Sequence, residues 1–139
     1  MALDLKQLSA KMRDIDTCLL CTKTVGGAIA ARPMSNNQNV EWDASAWFFA
    51  RDDSGMVDDL GADPNAMLAY QGEKGVWISV QGEARVHTDK ETMAEHWDPD
   101  IERWFEDGLD TPGLMLLEVS ATRVSYWTYE DGDGHIDIA

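Results

Sequence analysis

The chain has 139 residues, of which 44% are hydrophobic, enough for a single domain with a buried core. Its 26 acidic and 11 basic residues give a formal net charge of −15 at pH 7. Such a surface repels phosphate backbones and anionic lipids, so we expect neither nucleic acid nor a membrane as a partner. No apolar run approaches the roughly 20 residues that span a bilayer, and the N-terminus is too charged for a signal peptide. A cytoplasmic protein is therefore expected.

The first half of the chain reads as one helix followed by strands. Apolar residues at helical spacing predict an amphipathic helix within residues 1–15. An apolar strand over 17–24, a Val-Gly-Gly turn and a return strand over 28–32 form a predicted hairpin. An aromatic strand follows over 46–50, and a short helix is expected to begin near Gly55.

The clearest element lies over 75–87, after a shorter strand over 64–70. Apolar and polar residues alternate there, as they do on a half-buried strand. Gly82 interrupts the alternation and predicts a bulge or sharp bend of the kind found at barrel corners. The face expected to be buried consists of Val76, Ile78, Val80, Ala84 and Val86.

The second half ends in a helical insert, a long strand and a tail. The insert is predicted over 88–110, with Pro99 at the first position of a helix whose apolar face carries Ile101, Trp104 and Phe105. The last strand covers 114–127. Residues 129–139 are acidic and rich in glycine, so we expect a mobile acidic tail.

This order of elements predicts one domain over residues 1–139. Strands joined by short turns favour antiparallel pairing. The predicted fold class is mainly β with attached helices, a closed or partly open Greek-key-like barrel.

Two cysteines, Cys18 and Cys21, are three positions apart in a predicted strand, where they point to opposite faces. We therefore expect reduced, partly buried thiols rather than a disulfide or a redox pair. The three histidines are far away in sequence, and the alternating aspartates of the tail lack the glycine and glutamate of a calcium loop. No metal site is predicted.

One stretch suggests a phosphate site. Arg32 ends a strand of small residues and precedes Pro33, so a ligand could approach the main chain there. The predicted helix start at Ser54 and Gly55 would offer free N–H groups to a phosphate. The alternative is a solvated Arg32 paired with an aspartate at 52 or 53, and the pattern alone leaves both open.

Four stretches together resemble a known family. They are ARPM (31–34), AWFFARDDSGMVDDL (46–60), VWISVQGEARVHTDKE (76–91) and the Trp- and Pro-containing run over 96–127 that ends in YW. In this combination the chain resembles the general stress protein 26 branch of the pyridoxamine 5′-phosphate oxidase-like, FMN-binding split-barrel proteins.

The resemblance implies a split β-barrel that forms a homodimer, with FMN in clefts between the subunits. The Arg-Pro-Met arginine of such proteins contacts the flavin phosphate, and the main chain beside it faces the ring. The strand and turn after the aromatic run hold the phosphate and ribityl chain, while polar residues of the long strand and a tryptophan from the partner approach the ring. The implied cofactor-binding residues are Arg32, Pro33, Met34, Ser35, Phe49, Ala50, Ser54, Gly55, Met56, Ser79, Gln81 and Trp127.

The implied function is that of a flavin-dependent stress-type oxidoreductase acting on an unknown small acceptor, with no residue assigned as acid or base. Ala50 and Met56 replace a threonine and a lysine that often hold the phosphate, which implies weak flavin binding. The alternatives are a non-catalytic binding module with weak or no flavin, and a related cofactor such as haem or deazaflavin. True pyridoxamine phosphate oxidase activity is not expected, because the chain ends in acidic residues rather than arginines. Most of the six tryptophans are expected in packing, with Trp127 the first expected to contact a ligand.

Overall fold

The computed structural model describes residues 2–36, 42–51 and 55–138. These residues contain three helices and seven strands, with two short 3-10 turns, Pro99–Arg103 and Gly108–Asp110, after the third helix. In chain order these elements are α1 (Leu5–Arg13), β1 (Thr17–Lys23), β2 (Ile29–Ser35), β3 (Ser45–Arg51), α2 (Met56–Ala62), β4 (Asn65–Gln71), β5 (Val76–His87), α3 (Lys90–Glu95), β6 (Leu114–Thr128) and β7 (Gly132–Asp137).

All strands belong to one antiparallel sheet with the order β2-β1-β4-β5-β6-β3, and β7 pairs with β6 beside this path. The long strand β6 pairs with β5 on one edge. On its other edge, residues 114–120 pair with β3 and residues 123–128 pair with β7. The strands β2 and β3 therefore stand at the two ends of the strand order. The mainly β, antiparallel prediction with attached helices is confirmed.

The core lies on the inward face of this sheet. Ile78 and Val80 of β5 are buried against Leu20 of β1 and Leu68 of β4, and α1 closes the core with Leu8. The alternation predicted over 75–87 is confirmed, although Val76 and Val86 at the two ends of the strand are only half-buried.

The helical insert forms a second, smaller core on the opposite side of β3 and β6. Met93 and Phe105 pack there against Leu114 and Leu116. The predicted apolar face of the insert is correct for Ile101 and Phe105 but wrong for Trp104, whose side chain is exposed. The two 3-10 turns do not keep the 3.6-residue period on which that prediction rested.

The expectation of a mobile acidic tail is wrong. Residues 132–137 form β7, which pairs along six positions of β6. Arg123 and Asp137 form an ion pair across these strands, with 2.6 Å between Nε and Oδ1. Ile136 packs against the core, and Gly134 lies so close to the Tyr126 ring that a Cβ would overlap it. In this segment, glycine and isoleucine alternate with aspartate and histidine, a pattern that suits an edge strand. The prediction gave more weight to the acidic composition than to this alternation.

The two cysteines are free, with Cys18 buried and Cys21 half-buried, which confirms the prediction of reduced strand thiols. Burial raises the pKa of the Cys18 thiol to about 12. Cys18 lies beside Tyr70, whose pKa is also raised well above its ordinary value by burial.

The first prediction concerns Gly82, where the register of β5 against β6 shifts. A Cβ at this position would overlap the Ser120 carbonyl oxygen. We expect Gly82→Ala to lower the free energy of unfolding by about 1–3 kcal/mol, because main chain must move to admit the methyl group. Urea denaturation measures this change.

The matched control is Gly61→Ala, an exposed glycine within α2 whose Cβ would meet no atom. This change should raise the free energy of unfolding by about 0.5–1 kcal/mol through helix propensity. Equal effects of the two substitutions would show that the bulge does not depend on Gly82.

The second prediction concerns pH. The Cys18 pKa is about 12 in the folded chain, against an ordinary value of 9.0. Above pH 9 the unfolded thiol therefore loses its proton before the folded one, so the unfolded state is favoured as the pH rises. We expect the free energy of unfolding to fall above pH 9 by up to about 1.4 kcal/mol per pH unit.

Urea denaturation of wild type, Cys18→Ala and Cys21→Ala between pH 8 and pH 10 tests this expectation. The Cys18→Ala variant should lose this part of the slope, whereas Cys21→Ala should keep it. An unchanged slope in Cys18→Ala would assign the pH dependence to another group, such as Tyr70, whose pKa is also raised by burial.

Candidate functional site

A cavity of about 800 Å³ lies between β2 and β3, the two strands at the ends of the sheet order. Its walls come from the end of β2, most of β3, the end of α1 and the segment from Glu95 to Phe105. The volume is in the range of pockets that hold small molecules or cofactors. The cavity exists because these two strand edges are not paired with each other.

Aromatic residues make up about a third of the described cavity lining. Trp47 stacks on His96 with 3.7 Å between ring centroids, and Phe49 meets Trp97 edge to face at 5.1 Å. The ring centroid of His87 lies 5.7 Å from that of Trp47, and the His87 Nε2 is 3.0 Å from a Glu118 carboxylate oxygen. These rings suit a planar ligand. The aromatic residues that line the cavity are Trp42, Trp47, Phe48, Phe49, Tyr70, Trp97, Trp104 and Phe105.

Charged residues of both signs also line the cavity. The cations are Arg13 and Arg103, and the carboxylates are Glu95, Asp98 and Asp100. The Asp98 carboxylate accepts a hydrogen bond from the main-chain N–H of Asp100, at the start of the first 3-10 turn. One of its oxygens is therefore already in use.

Arg51 adds a further cation beside the cavity. Its guanidinium lies 5.8 Å from the centroid of the Phe105 ring, and Phe105 lines the cavity. Arg51 is not among the predicted site residues, although its position directly after Ala50 could have identified it.

Five of the predicted site residues come together in this cavity. Pro33, Met34 and Ser35 approach from β2, and Phe49 and Ala50 approach from β3. The two groups come from different strands and are not adjacent in sequence, so their meeting is a property of the fold.

Arg32 lies beside this group without lining the cavity. It is half-buried on the inward face of β2, and its Nη1 donates to the Thr22 hydroxyl at 3.3 Å. The alternative partners at 52 and 53 lie outside the described residues.

The predicted phosphate turn is only partly described. Ser54 lies outside the described residues. Gly55 has a left-handed main chain with φ 77° and precedes α2. The Met56 side chain is 2% exposed and belongs to the core, so it could reach a ligand only through its main-chain atoms.

The remaining predicted residues lie on the outward face of the sheet. Ser79 and Trp127 line a second, smaller cavity of about 290 Å³ beside Trp77. Gln81 is exposed on β5, the strand that carries Ser79. Within one chain Trp127 is therefore not beside the large cavity, whereas four other tryptophans line it.

The cavity lining, with its aromatic rings, small residues and nearby arginines, is compatible with a planar ligand that carries an anionic group. In the described part of the chain no group of three potential metal ligands comes together. None of the helices in the described ranges is long and apolar enough to cross a membrane.

Comparison with known proteins agrees with this architecture. A family model described as pyridoxamine 5′-phosphate oxidase like matches residues 4–137. General stress protein 26 of Bacillus subtilis is 32% identical over 67 residues, which cover 45% of this chain and 47% of that protein. This chain thus matches about half the length of that relative.

Solved structures match over more of the chain. A protein related to general stress protein 26 from Clostridium acetobutylicum superposes with a TM-score of 0.85 at 16% identity, covering 98% of this chain and 97% of that one. The general stress FMN/FAD binding protein from Xanthomonas citri superposes with a TM-score of 0.73 at 27% identity, covering 91% of this chain and 88% of that one. These similarities confirm the split-barrel fold, and with the family match they show that the chain belongs to the pyridoxamine 5′-phosphate oxidase-like family.

Proposed function

We propose that this chain binds FMN in the cavity between β2 and β3, as a homodimer, and exchanges electrons between the flavin and a small acceptor. The observation that carries the proposal is the convergence of Pro33–Ser35 and Phe49–Ala50 on one cavity bounded by aromatic rings. The bound flavin would supply the hydride and electron chemistry. The protein's contribution is to bind, orient and shield the ring.

The end of β2 suits the edge of a planar ring. Pro33 has no N–H to leave unpaired, and Met34 is an adaptable apolar surface. Across the cavity, Phe49 is held by its edge-to-face contact with Trp97. A ring bound between these residues is shielded from water on the side of the helical insert.

The phosphate end is assigned to Arg32 and the main chain at Gly55. Over residues 2–36, 42–51 and 55–138, no carboxylate forms an ion pair with Arg32, although the chain carries 26 acidic residues. Because the Thr22 hydroxyl is its only partner among the described residues, the half-buried Arg32 guanidinium has donors left for an anion there, and a phosphate matches its geometry. This arrangement supports a phosphorylated ligand.

The homodimer is proposed from the outward face of the sheet. Four large apolar side chains there are 45–78% exposed, and the register places them on one face: Leu19, Ile29, Trp77 and Trp127. We call this set the outer apolar face. Exposed apolar surface on this scale marks an interface. A second copy docked there would bury Trp127 at the subunit boundary, as the resemblance implies.

The third prediction tests the phosphate assignment. Arg32→Ala should weaken FMN binding by at least about tenfold, or 1.4 kcal/mol, and should leave riboflavin binding unchanged, because riboflavin has no phosphate. Quenching of flavin fluorescence measures both affinities. Arg85→Ala, on the exposed side of β5, is the control and should change neither affinity.

Three other outcomes have distinct meanings. Equal FMN affinities for wild type and Arg32→Ala would remove Arg32 from the site. A parallel loss for FMN and riboflavin would indicate a structural role for Arg32. If wild type binds neither flavin, the second candidate remains, which is a binding module without flavin. The burial of Met56, at a position where a phosphate-binding lysine is usual, favours that candidate.

The fourth prediction tests the dimer. Leu19→Glu should convert the dimer to a monomer in sedimentation at micromolar concentration, because it places a charge within the outer apolar face. It should also weaken FMN binding if the partner completes the cleft. Val57→Glu is the matched control, since Val57 is 40% exposed on α2 and Leu19 is 45% exposed on β1. A wild-type monomer at this concentration, or dimer loss in both variants, would contradict the proposed interface.

A further inference from the structure

Trp42 carries a buried hydrogen-bond donor, and other atoms of the residue line the large cavity. Its side chain is 8% exposed and lines the cavity. Its Nε1 is buried and has no hydrogen-bond partner in the described part of the chain. A buried donor without a partner is uncommon in folded proteins and calls for an explanation.

The surroundings of Trp42 make the missing partner more informative. The Trp42 main-chain N–H donates to the buried Ser9 hydroxyl at 3.1 Å, which ties the start of this segment to α1. Trp97, in the same cavity, does have a partner, since its Nε1 lies 3.5 Å from a Glu102 carboxylate oxygen. Carboxylates also line the cavity, yet none of them accepts from Trp42.

The chemistry of the cavity limits which acceptor could complete this bond. Its aromatic walls favour a planar ring, and the carboxylates of Glu95, Asp98 and Asp100 disfavour an anionic group on their side. A neutral carbonyl oxygen on an aromatic ring satisfies a neutral indole donor without adding charge.

We propose that Trp42 is the specificity-determining donor of this cavity and binds a ring carbonyl of a planar aromatic ligand. This inference rests on the proposed function, because the carbonyl could belong to the flavin ring itself. It could instead belong to a quinone-type acceptor bound beside the flavin. In both cases Trp42 positions the ring through one hydrogen bond and takes no part in the chemistry.

The test observes the Trp42 indole N–H directly. In ¹⁵N-labelled protein, the Trp42 resonance is the indole signal absent from Trp42→Phe. We expect it to move downfield on saturation with FMN if the carbonyl is the flavin's, or with menadione if it belongs to the acceptor. Trp42→Phe should weaken binding of that same probe by about tenfold and leave the other unchanged.

Trp97→Phe is the matched control, since it makes the same change in the same cavity to a donor that already has a partner. It should weaken binding less than Trp42→Phe does. Because Trp42 belongs to the buried core, Trp42→Phe should lower the midpoint of thermal unfolding through lost packing alone, so binding is measured well below that midpoint.

The outcomes separate this inference from the proposed function. If FMN does not bind wild type but menadione binds and shifts the Trp42 signal, the flavin proposal fails and this one stands. If FMN binds and neither probe moves the Trp42 signal, the flavin proposal stands and this one is overturned. If neither probe binds wild type, both are overturned.

Discussion

The close approach of β5 and β6 at Gly82 is the constraint on which the rest of the structure depends. β6 has 15 residues, so an extended strand would be about 50 Å long, too long for one flat face of a small domain. At Gly82 the register shifts, and the Thr122 hydroxyl bonds to the Gln81 carbonyl oxygen across the irregularity. The resulting bend lets one strand support β3 at one end and β7 at the other. The cavity follows, because β2 and β3 remain the two ends of the sheet.

The helical insert and the outward face of the sheet have different roles. The insert covers β3 and β6, where it buries Leu114 and Leu116 and contributes Trp97 to the cavity wall. It does not cover the outer apolar face, which is left for a second chain in the proposed dimer. The cavity between β2 and β3 is lined in part by aromatic residues, among them Trp42, whose Nε1 has no partner in the described residues. It lies beside Arg32, to which the described residues supply no carboxylate partner. In a chain with net charge −15, such positions are informative, since carboxylates are abundant.

Much of this fold could be predicted from the sequence because its signals are local. The alternation over β5 and the hairpin turn before β2 report directly on strands, and Gly82 reports on the bulge. The convergence of Pro33–Ser35 with Phe49–Ala50 could be expected only through the family resemblance, since no spacing links the two strands. β7 was missed because its acidic composition outweighed a short alternation. The exposure of Trp104 was missed because a 3-10 turn does not follow the helical period.

Other features cannot be read from a sequence at all. Whether the Trp42 indole has a partner depends on atoms from several elements, and no pattern around residue 42 indicates it. The orientation of Met56 cannot be read from the sequence either. A methionine at a helix start could face a ligand or the core, and here it faces the core.

A crystal structure of the protein with FMN would test the central claim most directly. The account predicts a flavin ring between Pro33–Ser35 and Phe49, with its phosphate at Arg32 and its open side completed by Trp127 of a second copy. A flavin bound elsewhere on the molecule, or a fully liganded monomer whose outer apolar face stays exposed to solvent, would contradict it.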